Sequence, residues 1–134
     1  MSVQSTREVI SRYHDSEHSD TSTMAEDVVF TIMATGQEHH GREGVLQMLD
    51  YFYRGAFDAH AESRNLVFAD EVAVFEGDFV GEQIGEFAGF AATNKRVRVP
   101  LCVVYELENA EIKRGRVYFE IPALLQQLGV TPGS

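Results

Sequence analysis

Helices early in the chain, followed by a run of long alternating strands, predict an α+β domain with helices packed on one face of a bent, largely antiparallel sheet. Three observations carry this. Val45, Leu49, Phe52, Tyr53 and Ala56 form one stripe at helical spacing. Residues 62–69 and 72–81 alternate on either side of Asp70-Glu71, the pattern of a hairpin. Residues 96–107 place Val97, Val99, Leu101, Val103, Tyr105 and Leu107 on one face, and after Asn109-Ala110 the chain returns as EIKRGRVYFEIPALLQQLG.

Taken in order, Ser5 and Glu8 form a capping-box pattern, and Val9, Ile10 and Tyr13 recur at helical spacing, which predicts a first helix over about residues 6–17. Asp20 or Thr21 then caps a single helical turn. VVFTIMA, residues 28–34, is short and β-branched and reads as the first strand, and residues 36–41 as a loop. The amphipathic helix follows from Arg42 to near Phe57. Gly81, Gly85 and Gly89 in the segment 81–95 point to bulges, curvature or close backbone approach. Pro100 interrupts the next strand, which places an edge or a bulge there. Pro122 opens a short C-terminal helix carrying Leu124, Leu125 and Leu128, with Gly129 as its stop.

The 134 residues suit a single domain, 1–134, with residues 131–134 as a frayed tail. Eleven Lys and Arg stand against twenty-one Asp and Glu, a formal charge of -10, so a phosphate backbone is repelled and nucleic acid is excluded as a partner. Cys102 is the one cysteine, in a strand of apolar neighbours, and reads as a small buried hydrophobe. No apolar run reaches the roughly 20 residues that cross a bilayer and the N-terminus carries no signal pattern, so no membrane association and a cytoplasmic location are expected. His39-His40 are adjacent loop residues and no chelating pair by themselves; His14 and His18, four positions apart, could share one helix face, but Asp15 and Glu17 between them mark a solvated helix end, and no metal is expected. No nucleotide fingerprint is present, and no cofactor is expected.

The functional reading rests on residues 111–121. Ile112, Arg114, Arg116, Tyr118 and Glu120 share one face of an extended chain; Val117, Phe119 and Ile121 share the other. With the hairpin turn centred between Asn109 and Ala110, Arg116 stands opposite Val103, Tyr118 opposite Leu101 and Glu120 opposite Val99. Three polar groups on an apolar wall are how small-molecule pockets are usually built.

EFAGFAATNKRVRVP, residues 86–100, together with VVYELENAEIKRGRVYFEIPALLQQLG, residues 103–129, resembles the C-terminal half of the SnoaL-like polyketide cyclases, within the nuclear transport factor 2-like superfamily. AEDVVF and HHGREGVLQML in the first half are also similar to that family's pattern. The resemblance implies a cone-shaped, strongly curved sheet with about three N-terminal and crossover helices on its concave face, a deep apolar cavity and a homodimer formed through the sheet. It also implies an intramolecular aldol closure without metal or cofactor. Three positions depart from the family, one of them structural: Asn94 replaces the Gly of an Ala-Thr-Gly-Lys turn and can take the same left-handed conformation. Glu120 stands where an Asp is usual before the final helix, and Gln83 stands where Gly-Thr-His-x-Gly would supply an imidazole, an amide that holds a hydrogen bond but shuttles no proton at neutral pH.

Such chemistry needs a carboxyl in an apolar pocket and a donor for the enolate oxygen. Glu120 is the candidate acid/base; Arg116, Tyr118 and Gln83 are candidate donors; Val99, Leu101 and Val103 form the apolar wall, and Tyr13 reaches toward the cavity mouth. The structural alternative is an Arg116–Glu120 pair at a strand end with Tyr118 and Tyr13 as core. The expected ligand is a small apolar carbonyl compound. A non-catalytic ligand-binding or dimerisation module of the same fold is the other reading, and Val117, Phe119 and Cys102 are the expected pairing face.

Overall fold

The computed structural model describes residues 2–130. The chain runs α1 (Val3–Asp15), a 3-10 turn (Thr21–Thr23), β1 (Met24–Ile32), β2 (Gln37–His40), α2 (Gly41–Asp50) continued by a π turn (Tyr51–Gly55), β3 (Phe57–Ala69), β4 (Val72–Gln83), β5 (Arg96–Glu108), β6 (Glu111–Phe119) and α3 (Ile121–Leu128). The tail expected at residues 131–134 lies outside the described residues.

The strands form one six-stranded sheet in the order β2-β1-β6-β5-β4-β3. Only β1 and β6 run parallel; the other neighbours are antiparallel, so the sheet is mixed. Helices α1 and α2 lie over one face, and a single core joins their inward stripes to the sheet: Val9, Ile10 and Tyr13 from α1, Val45, Met48 and Leu49 from α2. The expected α+β architecture with a short final helix is what the chain adopts.

Several local expectations shift for identifiable reasons. Helix α1 begins earlier than expected because Ser2, not Ser5, is its cap: the Ser2 hydroxyl accepts from the Ser5 amide at 3.1 Å. Residues 37–40, read as loop, pair with β1 as an edge strand. Pro100 is neither at an edge nor in a bulge. It lies in β5 between two neighbours, but β6 stops opposite Leu101, so the missing N–H of Pro100 points where no ladder continues. The dense glycines do mark close approach. A Cβ on Gly81 would stand 2.3 Å from the Asp58 carbonyl oxygen, and one on Gly85 2.5 Å from that of Gly55.

One shift matters for function. Asn109 and Ala110 both take positive φ, 53° and 61°, so the expected hairpin turn forms. Glu108 pairs with Glu111 and Leu107 with Ile112, but Glu106 then pairs with Arg114, leaving Lys113 as an extra residue. That bulge moves every later pair by one: Val103 faces Val117, Leu101 faces Phe119, and Arg116 and Tyr118 face Val104 and Cys102. Ile112 is buried before the bulge; after it Gly115 and Phe119 are buried and Val117 half-buried, while Arg114, Tyr118 and Glu120 are exposed.

Candidate functional site

The inward faces of α1, α2, the π turn and strands β1 and β3–β6 leave a slot between helices and sheet. Its sheet wall is Phe75 and Phe79 of β4, Leu101, Val103 and Tyr105 of β5, and Val117 and Phe119 of β6. From the helical side come Tyr13, His14, Met48, Leu49, Phe52 and Tyr53, with His18 from the turn after α1. The void counted to its mouth is about 520 Å³, but the space open to the centre of a water molecule is about 40 Å³, so the slot is narrow. No Asp, Glu, Lys or Arg lines it.

Local backbone structure explains why polar groups gather at one end. Beyond α1, Glu17 and His18 both adopt positive φ, 55° and 65°, and the His18 amide returns to the Tyr13 carbonyl at 3.0 Å. Two consecutive left-handed non-glycine residues are costly, and here they bring the His18 ring back under the helix end. Its centroid lies 5.0 Å from Tyr13 and 5.4 Å from His14. At the end of α2 the Ala56 amide bonds to the Tyr51 carbonyl at 2.7 Å, a five-residue step, and this wider turn lets consecutive Phe52 and Tyr53 both line the slot.

Burial sets the electrostatics. Desolvation holds the His14 imidazole down to about 4, against a smaller opposing effect of Asp15, and the His14 Nε2 atom is buried without a hydrogen-bond partner. Desolvation, then His14 and Arg54, pushes His18 to about 3. Both rings are therefore neutral near neutral pH. Burial raises the hydroxyls of Tyr13, Tyr53 and Tyr105 above their ordinary value, and the Tyr13 and Tyr105 rings pack edge to face with centroids 5.7 Å apart. The site thus combines neutral lone-pair acceptors with phenol donors in an apolar surround.

His14, His18, Tyr53, Ala61 and Phe75 also border a second, wetter hollow of about 330 Å³, termed the vestibule below. It carries Asp15, Glu17, Arg54, Asp58 and His60. Among the described residues no group of three or more His, Cys, Asp or Glu is placed to hold a metal ion.

The expected site residues divide. Tyr13, Leu101 and Val103 line the cavity, and Val99 is fully buried beside it in the core. Glu120 does not reach it: exposed on the outer surface, it precedes α3, and its carbonyl accepts from the Leu124 amide at 3.1 Å. Tyr118 is 44% exposed on the same outer face. Arg116 is bound there by Glu106. Gln83 is fully buried but spent on structure: its Nε2 donates to the carbonyls of Gly85, Phe90 and Ala91 at 3.0 to 3.3 Å, and its Oε1 accepts from the Thr93 amide at 3.0 Å. Val117 and Phe119, expected at a pairing face, line the cavity instead. The parity error of the Lys113 bulge accounts for the misplaced residues of β6 and for Glu120. The polar cluster that sequence reasoning missed as a site, His14, His18, Tyr53 and Tyr105, left one signal: ring residues repeating across the polar end of α1.

A curved mixed sheet closed by helices over an apolar slot defines the nuclear transport factor 2-like, ketosteroid isomerase-like class. Solved structures agree: a hypothetical protein with ketosteroid isomerase-like fold from Catenulispora acidiphila, in complex with trimethylamine, has a TM-score of 0.76 at 17% identity, covering 94% of this chain and 95% of that one. A protein assigned by likeness to the SnoaL-like polyketide cyclases, from Jannaschia sp. CCS1, gives 0.85 at 17% identity over 96% and 94%, and TsrD from Streptomyces laurentii 0.81 at 18% over 98% and 99%. At these identities the likeness is one of fold. The profile of the SnoaL-like polyketide cyclase family matches residues 6–128, and the chain belongs to that family. No curated protein matches it in sequence. Among the described residues no helix is long and apolar enough to cross a membrane.

Proposed function

We propose that this protein is a cofactor-free acid–base catalyst acting on a small, apolar carbonyl compound held in the slot, with His14 as proton acceptor and the Tyr13–Tyr105 pair as donor to the carbonyl oxygen. The observation that carries the reading is the buried, unpartnered Nε2 of His14 on the wall of a cavity without carboxylates. A buried polar atom without a partner is unfavourable unless something else satisfies it, and a bound ligand does so. With the ring proton on Nδ1, Nε2 takes a proton from the carbon beside the carbonyl, and the charge that develops on oxygen meets a phenol hydroxyl in a low-dielectric surround. The enolate carbon then attacks a second carbonyl of the same molecule. The new alkoxide recovers the proton from the imidazolium, which burial makes a strong acid, and the enzyme ends unchanged.

Deuterium exchange at the acidic carbon of benzoylacetone, followed by NMR, tests the first step. His14→Gln is expected to slow the protein-dependent exchange about 100-fold or more; an unchanged rate removes His14 from the chemistry. A second reading, ligand binding without conversion, is favoured by the narrowness of the slot and by Gln83, whose amide is fully occupied. A ligand that co-purifies and stays chemically intact on prolonged incubation would select it.

Homodimerisation through the outer sheet face belongs to the same proposal. With Val117 and Phe119 turned inward, the residues available for pairing are Cys102 and Val104, half-buried, and the exposed Tyr118. Light scattering at micromolar concentration is expected to give twice the chain mass, and Tyr118→Asp to halve it.

A further inference from the structure

We propose that His18 is a second catalytic residue of the same reaction: its ring N–H donates to the oxygen of the carbonyl that the enolate attacks, holding that end of the ligand at the vestibule side of the slot. The inference rests on the proposed function, in which His14 takes the proton and the Tyr13–Tyr105 pair holds the enolate oxygen. Ring closure then creates a second oxyanion. In a low-dielectric surround that oxygen needs a donor of its own, and the two phenols are already engaged. The donor must also stand beside His14, because the His14 imidazolium returns the proton there. Among the described residues four rings pack against that of His14: Phe75 at 5.2 Å between centroids, Tyr13 at 5.3 Å, His18 at 5.4 Å and Tyr105 at 5.9 Å. Phe75 has no polar hydrogen, which leaves His18.

His18 is 7% exposed and lines both the slot and the vestibule. Tyr13, His14 and Tyr53 meet it ring to ring, and no hydrogen bond among the described residues engages its ring nitrogens. An imidazole buried in that way is unfavourable unless a ligand satisfies it, yet Glu17 and His18 both adopt left-handed backbone to put it there. Burial, His14 and Arg54 all oppose its protonation. It therefore keeps one N–H and one lone pair, and donates a hydrogen bond without transferring a proton. The step balances: a carbon–carbon bond forms, the carbonyl electron pair moves onto oxygen, and that oxygen takes the His14 proton. Tyr13 and Tyr105 border the slot alone. The enolised carbonyl accordingly lies inward and the attacked carbonyl outward.

The test uses the diketone in which three methylene groups join an acetyl to a benzoyl group. Closure to the conjugated cyclic enone is followed by absorbance, and deuterium uptake at the acetyl methyl by NMR, on one sample of the full chain. His18→Phe keeps a ring and removes the N–H; it is expected to lower the ratio of closure to uptake about 100-fold. His18→Gln, which restores an N–H, is expected to recover part of that ratio. A purely structural role would lower both rates together and leave the ratio unchanged, which overturns the inference. Should the variants not fold, proton NMR of the unaltered chain decides: the His18 ring N–H is expected to move downfield with benzoylacetone more than with butylbenzene, and equal shifts overturn the assignment. Absence of protein-dependent uptake in the unaltered chain, or uptake unchanged in His14→Gln, overturns the proposed function and this inference with it.

Discussion

His18 and Tyr53 lie ring against ring, with centroids 4.7 Å apart and planes inclined by 31°, and both line the vestibule as well as the apolar slot. Neither position is reached by ordinary helical geometry: His18 needs a left-handed residue and Tyr53 a π turn. Tyr53→Ala joins the two hollows and admits water to the imidazole. Since burial is what lowers His18, its pKa is expected to rise from about 3 toward the ordinary 6.5, as read by NMR titration. The lost ring should cost about 3 kcal/mol of stability in urea.

Acid destabilisation should begin well before the carboxylates titrate. In the unfolded chain both imidazoles take up protons as pH falls through about 6.5, whereas in the folded chain His14 waits until about 4 and His18 until about 3. The unfolded state thus binds more protons throughout this window. The stabilisation is fully present above 6.5, is lost as pH falls, and levels off only below the folded values. The slope is expected to be at most about 1.4 kcal/mol per pH unit for each histidine. His14→Leu with His18→Leu should flatten the curve between pH 6.5 and 4.5, measured by urea unfolding.

Gln83 acts as a clasp for residues 84–94. Gln83→Leu leaves three carbonyls and one amide of that loop without their side-chain partner and should cost about 3 kcal/mol, with amide exchange rising at Thr93. Gln83→His should rescue only part of this, because a neutral imidazole offers one donor and one acceptor where the amide offers two donors and an acceptor.

Gly115 lies beneath the Phe30 ring, and an added Cβ would stand 2.8 Å from its Cε1. Gly115→Ala should drive that ring into the slot it borders. A stability loss of about 1–3 kcal/mol and weaker uptake of any slot ligand are expected.

The long elements were legible because their periodicity is strong. The β3–β4 hairpin, the inward face of β5, the Asn109-Ala110 turn and the Pro122 to Gly129 helix all followed from spacing and turn chemistry. The register of β6 was not. A strand's two faces differ by one residue, and the bulge at Lys113 has no composition signal, since Lys113 and Arg114 are polar and sit between Ile112 and Gly115 whichever is the extra residue. The slip turned Glu120 outward and Val117 inward. The site was missed for a related reason: His14 and His18 were read as ends of a solvated helix, because a π turn and two left-handed residues are tertiary solutions that no local pattern announces.

In the proposed function, ligands occupy the face of β6 that carries Val117 and Phe119, not the face that carries Tyr118. Calorimetric titration of benzoylacetone into the Val117→Phe and Glu120→Gln variants, with circular dichroism to confirm that both fold, tests it most directly. Val117→Phe is expected to abolish binding, while Glu120→Gln is expected to bind as the unaltered protein does. Loss of binding in Glu120→Gln with retention in Val117→Phe would contradict it.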